Sequence, residues 1–250
     1  MRHPYEIFQI IQHPNVLKAA ASSTVPGRTL GTSLPKMLYI LPGAEDTQAT
    51  DKDMVNTVWV DEDFLETFEI DLVAGRTFSK NFLTEVASGF ILNEAAAKKF
   101  GWKSPQEAIA KEVKYWQRGY KSARIIGVVK DFNYSSLHSN IDPLIIRWLD
   151  PQNPLYPVFV HAPGVLSIRV GPNNISNTIE FIAKKWKEIG SNHPFEYFFL
   201  DENLDKLYQA DQRLGQIFGH FSVLAIFIAC LGMFGLASFT AEQRTKEIGM

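Results

Sequence analysis

Cysteine is nearly absent. The only one among 250 residues is Cys230, which excludes an intramolecular disulfide framework and any multi-cysteine metal site. Charge of one sign is also missing. The formal net charge is −2, so there is no basic excess to neutralise phosphates, and nucleic acid is excluded as a partner. Nucleotide and hydrolase signatures are lacking too: no G-x-x-x-x-G-K-[ST], G-x-G-x-x-G, H-E-x-x-H or G-x-S-x-G. His3, His13, His138, His161, His193 and His220 are scattered, with no pair at i, i+4, and read as surface or loop residues. The chain is therefore expected to be no enzyme and to need no cofactor and no metal. An N-terminal leader is not evident either, because Pro4 and Pro14 interrupt the first segment before an apolar run can form.

Averages hide the main feature. Hydrophobic residues are 46% and the mean hydropathy is −0.08, ordinary for a water-soluble protein. Yet from Leu214 to Ala241 no residue is charged. At about 1.5 Å per residue, a helix over that run is long enough for a hydrocarbon core of about 30 Å. No proline follows Asp201, and Leu204, Leu207, Leu214, Phe218 and Phe221 mark one helical face. One long helix is expected over about 202–240, a stalk first and a membrane span second.

Before that helix the pattern is α+β. Strands are expected at Lys36–Leu41, Met54–Val60, Gly89–Leu92, Glu112–Trp116, Ala123–Val129, Leu144–Trp148, Leu166–Val170 and Phe195–Leu200. Residues 1–50 read as mixed, with a short helix near Tyr5–Gln12 and a loop over Ala21–Arg28. Asp61–Phe68 reads as a short helix with acidic residues in its first turn, where the dipole favours them. These acids could bind a cation on spacing alone, but the helix start explains them better. Gly75–Ser79 reads as a turn. Asn93 suits the N-cap of a helix closed by Gly101. Ser104-Pro-Gln-Glu107 has the form of a capping box with Pro at the first position. Asn174 is placed to cap a helix over Ile175–Ile189, with Ile179, Ile182, Trp186 and Ile189 on one face. Asn133-Tyr-Ser and Asn174-Ile-Ser fit the glycosylation pattern, which is too short to be informative.

Within the apolar run, Ser222, Ala225, Ala229 and Gly232 recur at helical spacing. Small residues on one stripe let helices approach closely in lipid, so this is the expected helix-packing face. Cys230 reads as one more small apolar residue. After the run come Gln243, Arg244, Thr245, Lys246, Glu247, Ile248 and Gly249. Physically they are a solvated helix end, and Arg244 and Lys246 are consistent with a cytoplasmic side.

Phe234-Gly-Leu-Ala-Ser-Phe239 followed by Gln243–Gly249 resembles the membrane exit and cytoplasmic loop of FtsX-like, MacB-type ABC transporter permeases. Val60–Phe68, Ala74-Gly-Arg-Thr-Phe78, Ile91-Leu-Asn-Glu-Ala95 and Val128–Tyr134 resemble the extracytoplasmic core domain of the same permeases, as do Val25-Pro-Gly27 and Leu200–Asp205. The resemblance implies a mixed-sheet extracytoplasmic (periplasmic) domain over residues 1–200. It also implies a stalk helix over 201–216, a transmembrane helix over 217–240 and the start of a cytoplasmic coupling segment over 241–250. It implies four membrane helices in a complete permease, so that this chain is a fragment with the first, third and fourth missing.

By the same resemblance, Gln243 to Gly249 meet a cytoplasmic ABC ATPase subunit, and ATP hydrolysis lies outside this chain. The permease works as a dimer in the lipid of the bacterial inner membrane. It passes ATP-driven movement to an outer domain that handles lipoprotein, peptide or drug substrates. The alternative is a membrane-anchored binding or sensor module without transport. An anchored extracytoplasmic enzyme is a third possibility, disfavoured by the missing catalytic motifs.

Overall fold

The computed structural model describes residues 10–26, 36–40, 54–79, 89–116, 120–134, 141–149, 164–188, 194–202, 217–219 and 221–237. The chain divides into two compact units, 1–196 and 197–250. Among the described residues the first holds nine strands: β1 Val16–Ser22, β2 Lys36–Ile40, β3 Met54–Val60, β4 Leu72–Gly75, β5 Gly89–Asn93, β6 Glu112–Trp116, β7 Tyr120–Val129, β8 Leu144–Trp148 and β9 Val165–Val170. The helices described with them are α1 Phe64–Thr67, α2 Glu94–Lys99, α3 Pro105–Ala108 and α4 Ile175–Glu188. The second unit contains α5, Ile217–Ala237. The class is α+β with a mixed sheet, as expected.

The sheet runs β2-β6-β7-β5-β8-β3-β1-β9, and β2 pairs with β3 as well as with β6. Six strands thus form a closed circuit. Two pairs in it, β3–β8 and β5–β7, are parallel. Sequence pattern follows position. β5 (GFILN) and β8 (LIIRW) are apolar almost throughout because both of their faces are covered. β6 alternates exposed and buried residues because only one face meets the core. One face carries Tyr39, Val55, Phe90, Leu92, Ile125 and Ile145, with α2 and α3 packed on it. The other carries Val58, Val60, Ile91 and Ile146 under Phe64 and Leu65 of α1. Each such fully buried side chain stabilises the fold by about 1.5–3 kcal/mol.

Caps fall where their residue types require. Asn93 accepts the Ala96 N–H at 2.9 Å through Oδ1, which also accepts Leu144 N–H at 2.9 Å. Its Nδ2 donates to the Asp142 carbonyl at 3.0 Å, so one buried amide joins α2 to the entry of β8. Ser104 accepts the Glu107 N–H at 3.3 Å, and Glu107 reaches back to the Lys103 N–H at 3.0 Å. Gly101 closes α2 with φ of 89°.

β1 and β9 form an antiparallel ribbon, and α4 packs on it through Ile182, with Phe181, Phe195 and Leu166 around Ile10 and Val16. Asn15 ties the ribbon to the start of α4, donating to the Asn173 carbonyl at 2.6 Å and to Thr178 Oγ1 at 2.9 Å.

Several expectations are corrected. Val16–Ser22 is a strand although Val-Leu-Lys-Ala-Ala-Ala-Ser reads as no strand. Pairing with β9 along its length overrides weak alanine propensity. Leu72–Gly75 is also a strand, laid beside the C-terminal half of β7, and the turn expected over Gly75–Ser79 is not formed: Gly75 ends the strand, Arg76 N–H donates to the Ile126 carbonyl at 2.9 Å, and 76–79 run on without a turn. Phe195–Phe199 forms no strand and Leu200 begins a helical turn; Phe195 buries itself against Trp186 of α4 at a ring distance of 6.4 Å rather than in a ladder. Asn174 has φ of 53°, outside the extended range of an N-cap, and it is the Asn174 carbonyl that accepts Thr178 N–H at 3.1 Å. The helix expected over 61–68 is confined to Phe64–Thr67. The helix near Tyr5–Gln12 is described only at Ile10 and Ile11, and the stalk over 203–216 lies outside the described residues.

Gly75 has φ of 76°, and a Cβ there would stand 2.2 Å from the Ile126 carbonyl oxygen. Gly101 shares a positive φ, but a Cβ there meets nothing within 4 Å. Gly101→Ala is expected to cost about 1–2 kcal/mol of backbone strain alone. Gly75→Ala adds a collision with backbone and is expected to cost at least about 3 kcal/mol. Urea unfolding of both variants checks the difference; equal losses would show that the β4–β7 approach is not tight.

Candidate functional site

The site residues expected from sequence fall into two groups. Gln243, Arg244, Thr245, Lys246, Glu247, Ile248 and Gly249 lie outside the described residues. Ser222, Ala225, Ala229 and Gly232 lie on α5. At 3.6 residues per turn they occupy one sector of about 80° on the helix. Every described side chain of α5 is exposed, including Phe218, Val223 and Phe234. Water does not tolerate an apolar surface of this extent on a single helix. Length and composition suit α5 to crossing a membrane.

Ser222 shows how a polar residue is accommodated there. Its Oγ donates to the Phe218 carbonyl at 2.8 Å, which satisfies the hydroxyl within the helix. Gly232 has no described atom within 4 Å of a Cβ position. Cys230 is exposed on the same helix.

In the first unit the polar chemistry is internal. Arg147 projects from β8 on the same face as Ile145, and only 8% of it is accessible. Its guanidinium lies 4.6 Å from the Tyr115 ring centroid, 5.0 Å from Phe90 and 5.9 Å from Trp59. Nη1 approaches Met37 Sδ at 3.5 Å. Aromatic faces thus supply the negative potential that a buried cation needs. Beside it, the Tyr39 hydroxyl is 3.0 Å from Thr57 Oγ1. Burial pushes the Tyr39 pKa up, partly offset by the Arg147 charge. A charged residue in an otherwise apolar strand was the signal for Arg147 in the sequence.

Asp61, expected in the first turn of a helix, instead follows β3 and is half-buried. Its Oδ2 accepts Ala21 N–H at 2.6 Å, and burial pushes its carboxyl up to about 6. Tyr134 donates to the Thr24 carbonyl at 3.0 Å, and burial raises its pKa strongly. His13 stacks on Phe181 at 4.7 Å, with Nδ1 accepting Asn15 N–H. The other five histidines lie outside the described residues. Among the described residues no three His, Cys, Asp or Glu side chains converge on a metal position. The described polar groups of the first unit are thus buried or half-buried and engaged in its own hydrogen bonds and ring contacts.

A family model described as the MacB-like periplasmic core domain matches residues 7–154. The chain belongs to this family. The match spans β1 to β8, which includes the whole closed circuit. Solved structures show the same fold. The periplasmic region of MacB from Actinobacillus actinomycetemcomitans aligns with a TM-score of 0.53 at 12% identity, covering 83% of this chain and 81% of that one. The extracellular domain of the noncanonic ABC-type transporter YknZ from Gram-positive bacteria aligns with a TM-score of 0.51 at 14% identity, covering 78% and 88%. No curated protein matches the sequence significantly. The resemblance to MacB-type ABC transporter permeases, drawn from the residues, is borne out. As a MacB-like periplasmic core domain, the first unit is of an extracytoplasmic type, and its family is a component of transporter permeases.

The aromatic enclosure makes Arg147 hard to replace. Arg147→Ala is expected to destabilise the domain by about 3 kcal/mol, from lost stacking and the cavity left behind. Arg147→Met keeps most of the volume without a buried charge and is expected to cost less than about 1.5 kcal/mol. Equilibrium unfolding followed by tryptophan fluorescence separates the two; equal costs would mean that charge, not packing, holds the site.

Proposed function

We propose that the chain is part of the permease subunit of an ABC transporter. It transmits ATP-driven conformational change from a cytoplasmic ATPase through a membrane helix to an extracytoplasmic domain that handles lipoprotein, peptide or drug substrates. The observation that carries this reading is one chain holding both a MacB-like periplasmic core domain and α5, an exposed apolar helix of membrane-spanning length.

Physical considerations support the role. A helix without charge in its span gives no path for a polar solute, yet it can carry displacement across lipid. A domain built from a closed sheet deforms little internally and so moves as a body when pushed. In this reading the chain sits in a bacterial inner membrane with the first unit outside the cytoplasm. Residues 1–200 form the outer domain, 201–216 the stalk, 217–240 the span and 241–250 the start of the cytoplasmic segment. Gln243–Gly249 contact the ATPase. Ser222, Ala225, Ala229 and Gly232 pack against a neighbouring helix, of the same permease or of a second copy. The subunit performs no chemistry of its own and binds no cofactor.

Two experiments test the proposal. The complete permease and its ATPase are co-purified in lipid, and the stimulation of ATP hydrolysis by the permease is measured. Arg244→Ala with Glu247→Ala is expected to cut that stimulation about tenfold, as for about 1.4 kcal/mol of interface energy, without loss of the assembled dimer. Unchanged stimulation would sink the coupling role, and a permease that never associates with an ATPase would favour a membrane-anchored sensor. Separately, Gly232→Leu fills the packing stripe and is expected to lower helix association in lipid by about tenfold, from 1–2 kcal/mol of lost close packing. An unaltered association by cross-linking would remove the stripe from the interface.

A further inference from the structure

Strand β1 serves two bodies at once. Along its length it pairs with β9, and with β9 it carries α4 and the apolar cluster around Ile182. Among the described residues its strand pairing with the closed circuit is confined to its C-terminal end, where Ser22 pairs with Val60, and Ala20 and Ala21 pack into the two apolar cores there. There the Ser23 N–H donates to the Trp59 carbonyl at 2.8 Å and the Asp61 N–H to the Ala21 carbonyl at 3.0 Å. Two side chains complete the junction. Ser23 Oγ accepts Trp59 N–H at 3.1 Å, and Asp61 Oδ2 accepts Ala21 N–H at 2.6 Å. The backbone hydrogen bonds between the β1–β9–α4 lobe and the circuit thus gather, among the described residues, in a short clasp between Ala21–Ser23 and Trp59–Asp61, with the side-chain pairs Lys18–Glu66 and Arg169–Glu69 beside it.

Asp61 is the costly member of that clasp. Its Oδ1 is buried, with no hydrogen-bond partner among the described residues. An ionised carboxylate with one buried oxygen lacking a protein partner is expensive. Burial is the largest influence on its carboxyl. The Ala21 and Asp63 amides favour the charge, and the Asp63 and Glu62 carboxylates oppose it. The charged groups on neighbouring elements are engaged with one another. Lys18 of β1 bonds Glu66 of α1 at 2.7 Å, and Arg169 of β9 bonds Glu69. The hydroxyl of Tyr134 is occupied by the Thr24 carbonyl.

We propose that Asp61 makes the β1–β3 junction a pH-sensitive clasp, closed when its carboxyl is protonated and loosened when it ionises, which governs how freely the β1–β9–α4 lobe moves against the closed sheet. Ionisation puts charge on a carboxyl whose Oδ1 is buried, and separating Asp61 from Ala21 exposes that oxygen to water. Opening is then the relaxed response of the ionised form.

The direction of the pH effect follows from linkage. In the closed clasp the carboxyl titrates at about 6, whereas exposed to water it returns towards its ordinary value of 3.8. Between those values the closed state holds a proton that the open state lacks. Closure is therefore strongest below both values and is lost as pH rises through about 6. The full change is about a hundredfold in the closing equilibrium, and about tenfold of it falls between about pH 5 and pH 7.5. The clasp does not depend on the permease reading; its bearing on transport does.

Hydrogen exchange on the full chain in lipid nanodiscs tests it, read as protection factors, which remove the intrinsic pH dependence of exchange. The amides of Ala21, Ser23 and Asp61 are compared with those of β5. Between about pH 5 and pH 7.5 the clasp amides are expected to lose about tenfold in protection, with β5 unchanged. Asp61→Asn is expected to abolish that loss. A wild-type clasp that stays flat or changes in step with β5, or an Asp61→Asn variant that keeps the slope, overturns the proposal. Should Asp61→Asn not fold, Ser23→Ala takes its place. It removes the acceptor of Trp59 N–H, so protection is expected to fall at every pH with the tenfold slope kept, and loss of the slope overturns the proposal.

Discussion

Strand β3 is paired on both of its edges. β2 pairs with its first half and β1 with its last residue on one side, while β8 runs parallel along the other. Both of its faces are buried from Val55 to Val60. This double demand, hydrogen bonds on both edges and apolar contact on both faces, is the constraint from which the rest follows. Pairing with β2 closes the circuit, because β2 also meets β6. Pairing with β1 recruits the ribbon and α4. A strand in this position tolerates no unpaired backbone group and few polar side chains, which is why Met-Val-Asn-Thr-Val-Trp-Val carries only Asn56 and Thr57 as polar members.

A closed sheet solves one problem and creates another. Closure leaves no edges within the circuit to attract a foreign strand. It also encloses whatever polar groups the alternation places inside. Arg147 and Asp61 are two answers to that burden. Arg147 lies among aromatic faces and beside Met37, so its charge is met by polarisable surface. Asp61 accepts a short amide bond from Ala21, while its Oδ1 is buried with no partner among the described residues. The first arrangement suits a permanent core position, and the second suits a position where the balance of charge and burial is meant to change. The two units divide similarly by solvent: the first buries its apolar residues in its own cores, whereas α5 leaves them exposed for lipid.

Sequence legibility varied with the locality of the cause. β3, β5, β6 and β8 were readable because burial on one or both faces imprints itself as apolar runs or alternation. Asn93, Gly101 and Ser104 were readable because a cap is decided within four residues. β1 and β4 were not, since Ala19-Ala-Ala21 and Leu72–Gly75 have little strand preference of their own and become strands only beside β9 and β7. Phe195–Phe199 failed in the opposite sense: its aromatic density signalled a strand, but Phe195 packs on a helix face while Tyr197 and Phe198 are exposed. Asp61 sat in an acidic triplet whose local explanation, a helix start, was sufficient and misleading.

By itself the sequence determined the class of the protein. It divided the chain between water and lipid, specified α+β elements for the outer part, and carried the residues that mark it as a MacB-like periplasmic core domain. These are properties of composition and short-range pattern, written within a few residues of where they act. Only the tertiary structure decided that the sheet closes on itself, that Arg147 lies among Trp59, Phe90 and Tyr115, and that Ala21 and Asp61 share a clasp. The partners in each case stand tens of residues apart, and no local preference encodes a contact whose energy arises only when distant segments exclude water together.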